Sequence, residues 1–182
     1  MAIEEKNSLE LIDSHTVTPG DTQTILSGMD DHTTAYLLIF NNIADSDDGA
    51  SLYVDVSYND NIDRGSSMQG AGHQIVNAGV ASNKAYAPGD IPRLVDYGTT
   101  GSSYETNGHA WIYRQNAISK GQRKPQKMIG KSITYNDTSL VTHDIYVEFP
   151  NTGFNMNGIK LFPNSGAWDS GEFKLYKLRR DS

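Results

Sequence analysis

Apolar and polar residues alternate along this chain in short runs separated by turn residues, and the last third shows it most clearly. Residues 159–162 and 173–178 both read as strands. Between them lie Pro163, Asn164, Gly166, Asp169, Ser170 and Gly171, residue types that fix φ, tolerate positive φ or cap turns with their side chains. Ile159 and Leu161 point one way, Lys160 and Phe162 the other. Phe173 and Leu175 share a face opposite Tyr176 and Leu178. Apolar groups on both faces suit central strands covered on two sides. The segment expected to pair with this C-terminal hairpin is 35–43, whose continuous Leu37, Leu38, Ile39, Phe40 run also predicts burial on both faces.

Earlier segments follow the same grammar. Residues 9–17 form an opening strand in which Leu9 and Leu11 alternate with Glu10, and 22–26 a weaker one beyond the Pro19-Gly20-Asp21 turn. Residues 51–58 alternate, with Leu52, Val54, Val56 and Tyr58 opposite Tyr53, Asp55 and Ser57. With Asp45-Ser46-Asp47-Asp48-Gly49 as the turn, 36–58 predicts an antiparallel hairpin. The stretches 59–72 and 84–89 read as polar loops, 74–80 as an ambiguous strand and 91–97 as a short one. In 108–114, Ala110 and Ile112 oppose His109, Trp111 and Tyr113. Strands are expected at 131–135 and at 140–149, the latter with Ile145, Val147 and Phe149 on one face. No stretch has the period of a helix of ordinary length, and no repeat is present. The fold class is therefore all-β: one antiparallel, jelly-roll-like β-sandwich over residues 9–178, with an N-terminal arm at 1–8 and a basic tail at 179–182.

Composition narrows the function. A chain of 182 residues is long enough for one real core. Without cysteine there is neither a disulfide framework nor a thiolate metal site. The acidic start lacks the apolar core of a secretory signal, and the longest apolar run is too short to span a bilayer. A net charge of -7 disfavours nucleic acid as partner.

Catalytic patterns are missing. The five histidines show no helical metal-site spacing. There is no Gly-x-Ser-x-Gly elbow and no phosphate-binding Gly-rich loop. Asp169 and Glu172 fall in or beside a turn, a poor place for a glycosidase pair. No catalytic, cofactor or metal residue is assigned, and the protein is expected not to be an enzyme. The acidic run at 45–49 fails the EF-hand spacing and reads as a turn. A weak Ca²⁺ site near Asp45, Asp47 and Asp48 is its alternative. Trp111, Trp168 and the ten tyrosines offer a sugar-stacking surface, with core packing the favoured role for Trp168. One basic run stands out, with Lys120, Arg123, Lys124, Lys127 and Lys131 and no acidic residue near them in sequence. Together with Arg179 and Arg180 it is the candidate interface, set against a plain solvated loop.

The order of segments also resembles a known group. Leu-Ile-Asp-Ser-His-Thr, Thr-Ile-Leu-Ser-Gly-Met-Asp, Tyr-Leu-Leu-Ile-Phe-Asn-Asn-Ile and Gly-Ala-Ser-Leu-Tyr-Val open the chain, and Asn-Gly-Ile-Lys-Leu-Phe-Pro-Asn-Ser-Gly-Ala-Trp-Asp-Ser-Gly-Glu-Phe-Lys-Leu-Tyr closes it. This is similar to small virion structural proteins of tail, fibre or decoration type from phages of marine and cyanobacterial hosts. The likeness covers roughly the first 60 and last 30 residues, as the run of those motifs shows. It leaves out 59–132, and the residues after Tyr176 extend beyond where such proteins stop. The resemblance implies a non-enzymatic virion protein, assembled in the host cytoplasm, whose partners are other capsid or tail proteins and further copies of itself. A capsid decoration or cement role is expected first, because the chain has neither the heptads nor the collagen-like repeats of a fibre stalk. A tail adhesin for a host-surface glycan or receptor is the alternative.

Overall fold

The computed structural model describes residues 8–30, 35–47, 50–58, 61–63, 69–76, 80–86, 93–99, 105–113, 126–136, 139–149 and 156–179. In chain order the strands are β1 (Ser8–Thr16), β2 (Thr24–Ser27), β3 (Ala35–Asp45), β4 (Ala50–Tyr58), β5 (Asn61–Asp63), β6 (Gln69–Val76), β7 (Val80–Tyr86), β8 (Arg93–Thr99), β9 (Thr106–Tyr113), β10 (Gln126–Asn136), β11 (Ser139–Phe149), β12 (Met156–Pro163) and β13 (Trp168–Arg179). One sheet has eight strands in the order β1-β13-β3-β9-β10-β11-β6-β7. The other has five, β2-β12-β4-β5 with β8 against β4. Every pairing is antiparallel. The expected all-β sandwich is therefore present.

The core lies between the sheets. The eight-stranded sheet contributes Tyr36, Leu38, Phe40, Ile112, Phe173 and Leu175, and the five-stranded sheet Leu26, Leu52, Val54, Leu94, Ile159 and Leu161. Each is at most 2% exposed, and each such side chain contributes about 1.5–3 kcal/mol by leaving water. Trp168 is buried against Phe173, ring centroids 5.7 Å apart, which meets the expectation of core packing.

Both predicted hairpins need correction. β3 and β4 lie in different sheets, and so do β12 and β13. The expected partner of the last strand was right: β13 pairs with β3, Leu175 opposite Leu38. Each pair of sequence neighbours, however, faces across the core instead of lying side by side. Period-two alternation shows that a strand has one apolar face, not whether its neighbour in sequence is lateral or opposite. The two crossovers run together. Ser46 N donates to Ala167 O (2.9 Å) and Ala167 N to Ser46 Oγ (3.1 Å). Ser51 N donates to Asn164 Oδ1 (2.6 Å) and Asn164 N to Ser51 O (3.1 Å). What reads as two hairpin turns is one hydrogen-bonded double corner. A second tie links the sheets at β1, where Asp13 Oδ2 accepts from Ser27 N at 2.7 Å.

Strand boundaries also shift. The supposed loop at 59–72 contains β5 and the start of β6, and 84–86 belongs to β7. β10 begins at Gln126, so the end of the basic run is strand. Ser8 and Arg179, placed in the arm and tail, are the paired ends of β1 and β13.

Candidate functional site

The eight-stranded sheet presents an outer face. Residues opposite each other across an antiparallel sheet share a face, so the register assigns its rows. One row runs Lys174, Ile39, His109, Lys131, Asp144. Its neighbour runs Leu11, Tyr176, Leu37, Trp111, Ile129, Tyr146. Leu11 and Ile129 are each 47% exposed. Leu9, Ile133 and Leu140 add to this apolar surface, each more than two-fifths exposed. Apolar side chains collected on one face, rather than scattered, mark a binding surface.

A trough of about 720 Å³ lies in the middle of this face. Leu37, Ile39 and Ile133 give it apolar walls, and Asn41, Asn107, His109, Trp111, Lys131, Thr142 and Asp144 supply polar and aromatic groups. Trp111 and Tyr113 lie nearly parallel, centroids 6.4 Å apart at 24°. Asn107 is already engaged, its Oδ1 accepting from Asn42 N at 2.9 Å. Asn42 has φ 53°, where the β3–β9 register slips between Phe40 and Ile43. Asparagine tolerates that left-handed backbone better than most residues.

Of the candidate interface residues that are placed, Lys127 and Arg179 lie at one end of the same sheet, whereas Lys131 sits mid-strand in the trough. Ser8 pairs with Arg179, Lys177 with Tyr36, Tyr36 with Ile112 and Ile112 with Met128. The chain thus enters β1 from 1–7, leaves β13 into 180–182 and enters β10 from 114–125 at the same end. Three strand spacings, about 15 Å, separate β13 from β10. Lys120, Arg123, Lys124 and Arg180 lie outside the described residues, whereas Lys127, Lys131 and Arg179 are placed.

These placed cations do have acidic neighbours, contrary to the expectation from local sequence. Lys131 Nζ is 3.2 Å from Asp144 on the adjacent strand. Lys127 Nζ sits 5.8 Å from the Tyr146 ring centroid, and its pKa is raised, first by the hydrogen bond to Tyr146 and last by the charge of Glu148. Arg179 pairs with Glu10, which Lys177 also meets at 3.3 Å. Partial desolvation pushes the Glu10 carboxyl up, but the bonds from Arg179 and Lys177 outweigh it and hold it below its usual value. Sheet partners come from distant sequence, so a run that looks unpaired in one dimension need not be so in three.

Asp45 and Asp47 serve the double corner: Asp47 N donates to Asp45 Oδ1 at 2.8 Å. Asp48 lies outside the described residues. Among the described residues no group of three or more His, Asp or Glu gathers to hold a metal ion. Among the described residues there is no helix long and apolar enough to cross a membrane. No protein-family model, curated protein or solved structure matches the chain.

Proposed function

We propose that this chain is a non-enzymatic bacteriophage virion protein of the capsid decoration or head-attached accessory kind. It docks on the particle by one end of its sandwich and stabilises it. The observation that carries this reading is that the strand ends Ser8, Gln126 and Arg179, from which the N-terminal arm, the basic run and the C-terminal tail continue in sequence, lie at one end of the sheet. Segments leaving a rigid sheet together can grip a neighbouring subunit at several points, and linked contacts reinforce each other. Lysines and arginines in those segments add long-range steering toward an acidic surface. A ligand that binds only the assembled shell stabilises that shell by mass action. Symmetric copies of the shell would present the protein as a symmetric array.

The test is co-sedimentation of the purified protein with mature capsids, with tails and with host cells. Saturation at a fixed ratio per capsomer, with a higher melting temperature of the shell, is the expected outcome. Binding to cells alone, competed by host glycans, would replace this reading with that of a tail adhesin. The Trp111 trough is the observation that favours the adhesin as second reading, and it is compatible with a particle-bound protein whose outer sheet face points away from the shell.

A further inference from the structure

We infer that the trough on the outer face of the eight-stranded sheet is a saccharide-binding site for a neutral sugar, with one pyranose ring lying against Trp111. The inference rests on the second reading above and gives it a location and a ligand class. Three features point the same way. The volume, about 720 Å³, falls within the ~300–1,000 Å³ of small-ligand sites. Trp111 gives the trough an aromatic surface, its ring stacked 24° from parallel with that of Tyr113. The C–H face of a pyranose is apolar and flat, and it gains most against such a surface. The same trough is lined by Asn41, His109, Thr142, Lys131 and Asp144, which include both donors and acceptors. Sugar hydroxyls at the ring edge need both.

Charge selects against other ligands. Lys131 and Asp144, 3.2 Å apart, cancel one another at the rim. A phosphate or nucleotide would meet a lysine already paired beside a carboxylate. An apolar ligand would leave Asp144 and His109 to lose water without new partners. A neutral polyol satisfies the carboxylate and the ammonium together while stacking on the ring. The site lies on rigid strands rather than loops, so little ordering cost accompanies binding.

The two tryptophans make this testable without a label at the site. Trp168 is sealed in the core at 1% exposure, whereas Trp111 lines the trough. In ¹⁵N-labelled full-length protein, the two indole N–H signals report the core and the trough separately. Neutral oligosaccharides of glucose, galactose, mannose and N-acetylglucosamine are titrated in turn. The expected result is a saturable shift of the Trp111 signal by at least one of them, with the Trp168 signal fixed. Trp111→Ala then weakens binding by roughly tenfold or more, and an unmoved Trp168 signal shows that its core is intact. Absence of any saturable shift overturns the site, as does undiminished binding by Trp111→Ala. Particle co-sedimentation of Trp111→Ala separates the two readings. Retained particle binding with lost sugar binding supports the site. Lost particle binding with no sugar response makes the trough a protein-docking surface, which ends the saccharide inference and leaves virion attachment standing.

Discussion

The Phe40 ring packs closely on Gly108, directly opposite it in the β3–β9 register, where a Cβ on residue 108 would stand 2.3 Å from Cζ of the ring. The same Cβ would come within 2.6 Å of the Lys131 carbonyl oxygen. Glycine thus lets a large aromatic fill the core directly beneath the trough. Gly108→Ala is expected to destabilise the fold by about 1–3 kcal/mol through overpacking. The check is the urea midpoint at constant m. Phe40→Leu removes the ring and should make the double variant less costly than the sum of the singles. Full additivity would show that the Lys131 carbonyl, not Phe40, sets the cost.

Asn164 holds the double corner, accepting from Ser51 N at 2.6 Å and donating its own N–H to Ser51 O at 3.1 Å. Asn164→Ala removes the side-chain acceptor and leaves the Ser51 N–H unpaired, at a cost of about 1–3 kcal/mol. Amide exchange at Ser51 should accelerate more than that at Leu38 in the middle of β3. Equal acceleration at both sites would mean that the corner opens only with the whole sandwich.

Much of this architecture is legible in the sequence, for a local reason. Inward-facing Leu38 and Phe40, Ala110 and Ile112, Ile145 and Val147, and Phe173 and Leu175 alternate with outward partners, so strand existence and facing follow from period two. Lateral pairing does not. Tyr36 to Tyr58 has the pattern of a hairpin, yet its halves face each other, because tight turns and sheet-crossing corners use the same residues. The trough is equally hidden: His109 and Trp111 read only as the outer side of one strand, and Asn41, Lys131 and Asp144 come from three others. A site assembled across four strands leaves no spacing to read. From the sequence only Trp111, as a sugar-stacking candidate, and Lys131, as an interface candidate, point to it.

Asp21 gives the fold an acid limit. Its carboxylate accepts from Thr18 N at 2.9 Å and contacts His15 Nε2 at 3.1 Å. The bond from Thr18, then that from His15, lowers its pKa below the usual value. Glu10 is lowered as well, where bonds from Arg179 and Lys177 overcome desolvation. A carboxyl depressed in the folded state stabilises it above the unfolded pKa and loses that contribution as pH falls through the folded pKa. Stability should therefore decline below the ordinary carboxylate range, near pH 4. Asp21→Asn should make that decline shallower, as read by melting temperature against pH. An unchanged slope would assign the acid sensitivity elsewhere.

Docking by one end of the sheet predicts a particular response to charge. Lys127 lies at that end and is held by Tyr146 rather than by a close carboxylate, and Arg180 directly follows Arg179 in sequence. Lys127→Glu with Arg180→Glu should weaken binding to particles and flatten its dependence on salt, because exposed charges interact within a Debye length of about 10 Å at 0.1 M salt. Arg179 is the wrong residue for this test, since changing it also releases Glu10 at the β1–β13 edge. The control is Lys174→Glu. Lys174 lies on the outer face away from the sheet end and pairs with Glu172 at 2.7 Å, a half-exposed surface pair of small net worth, so its reversal should leave particle binding unchanged. If Lys174→Glu weakens binding as much as the double reversal, the protein attaches through its broad face. If neither variant changes binding at any salt concentration, attachment through the basic end of the sheet is wrong.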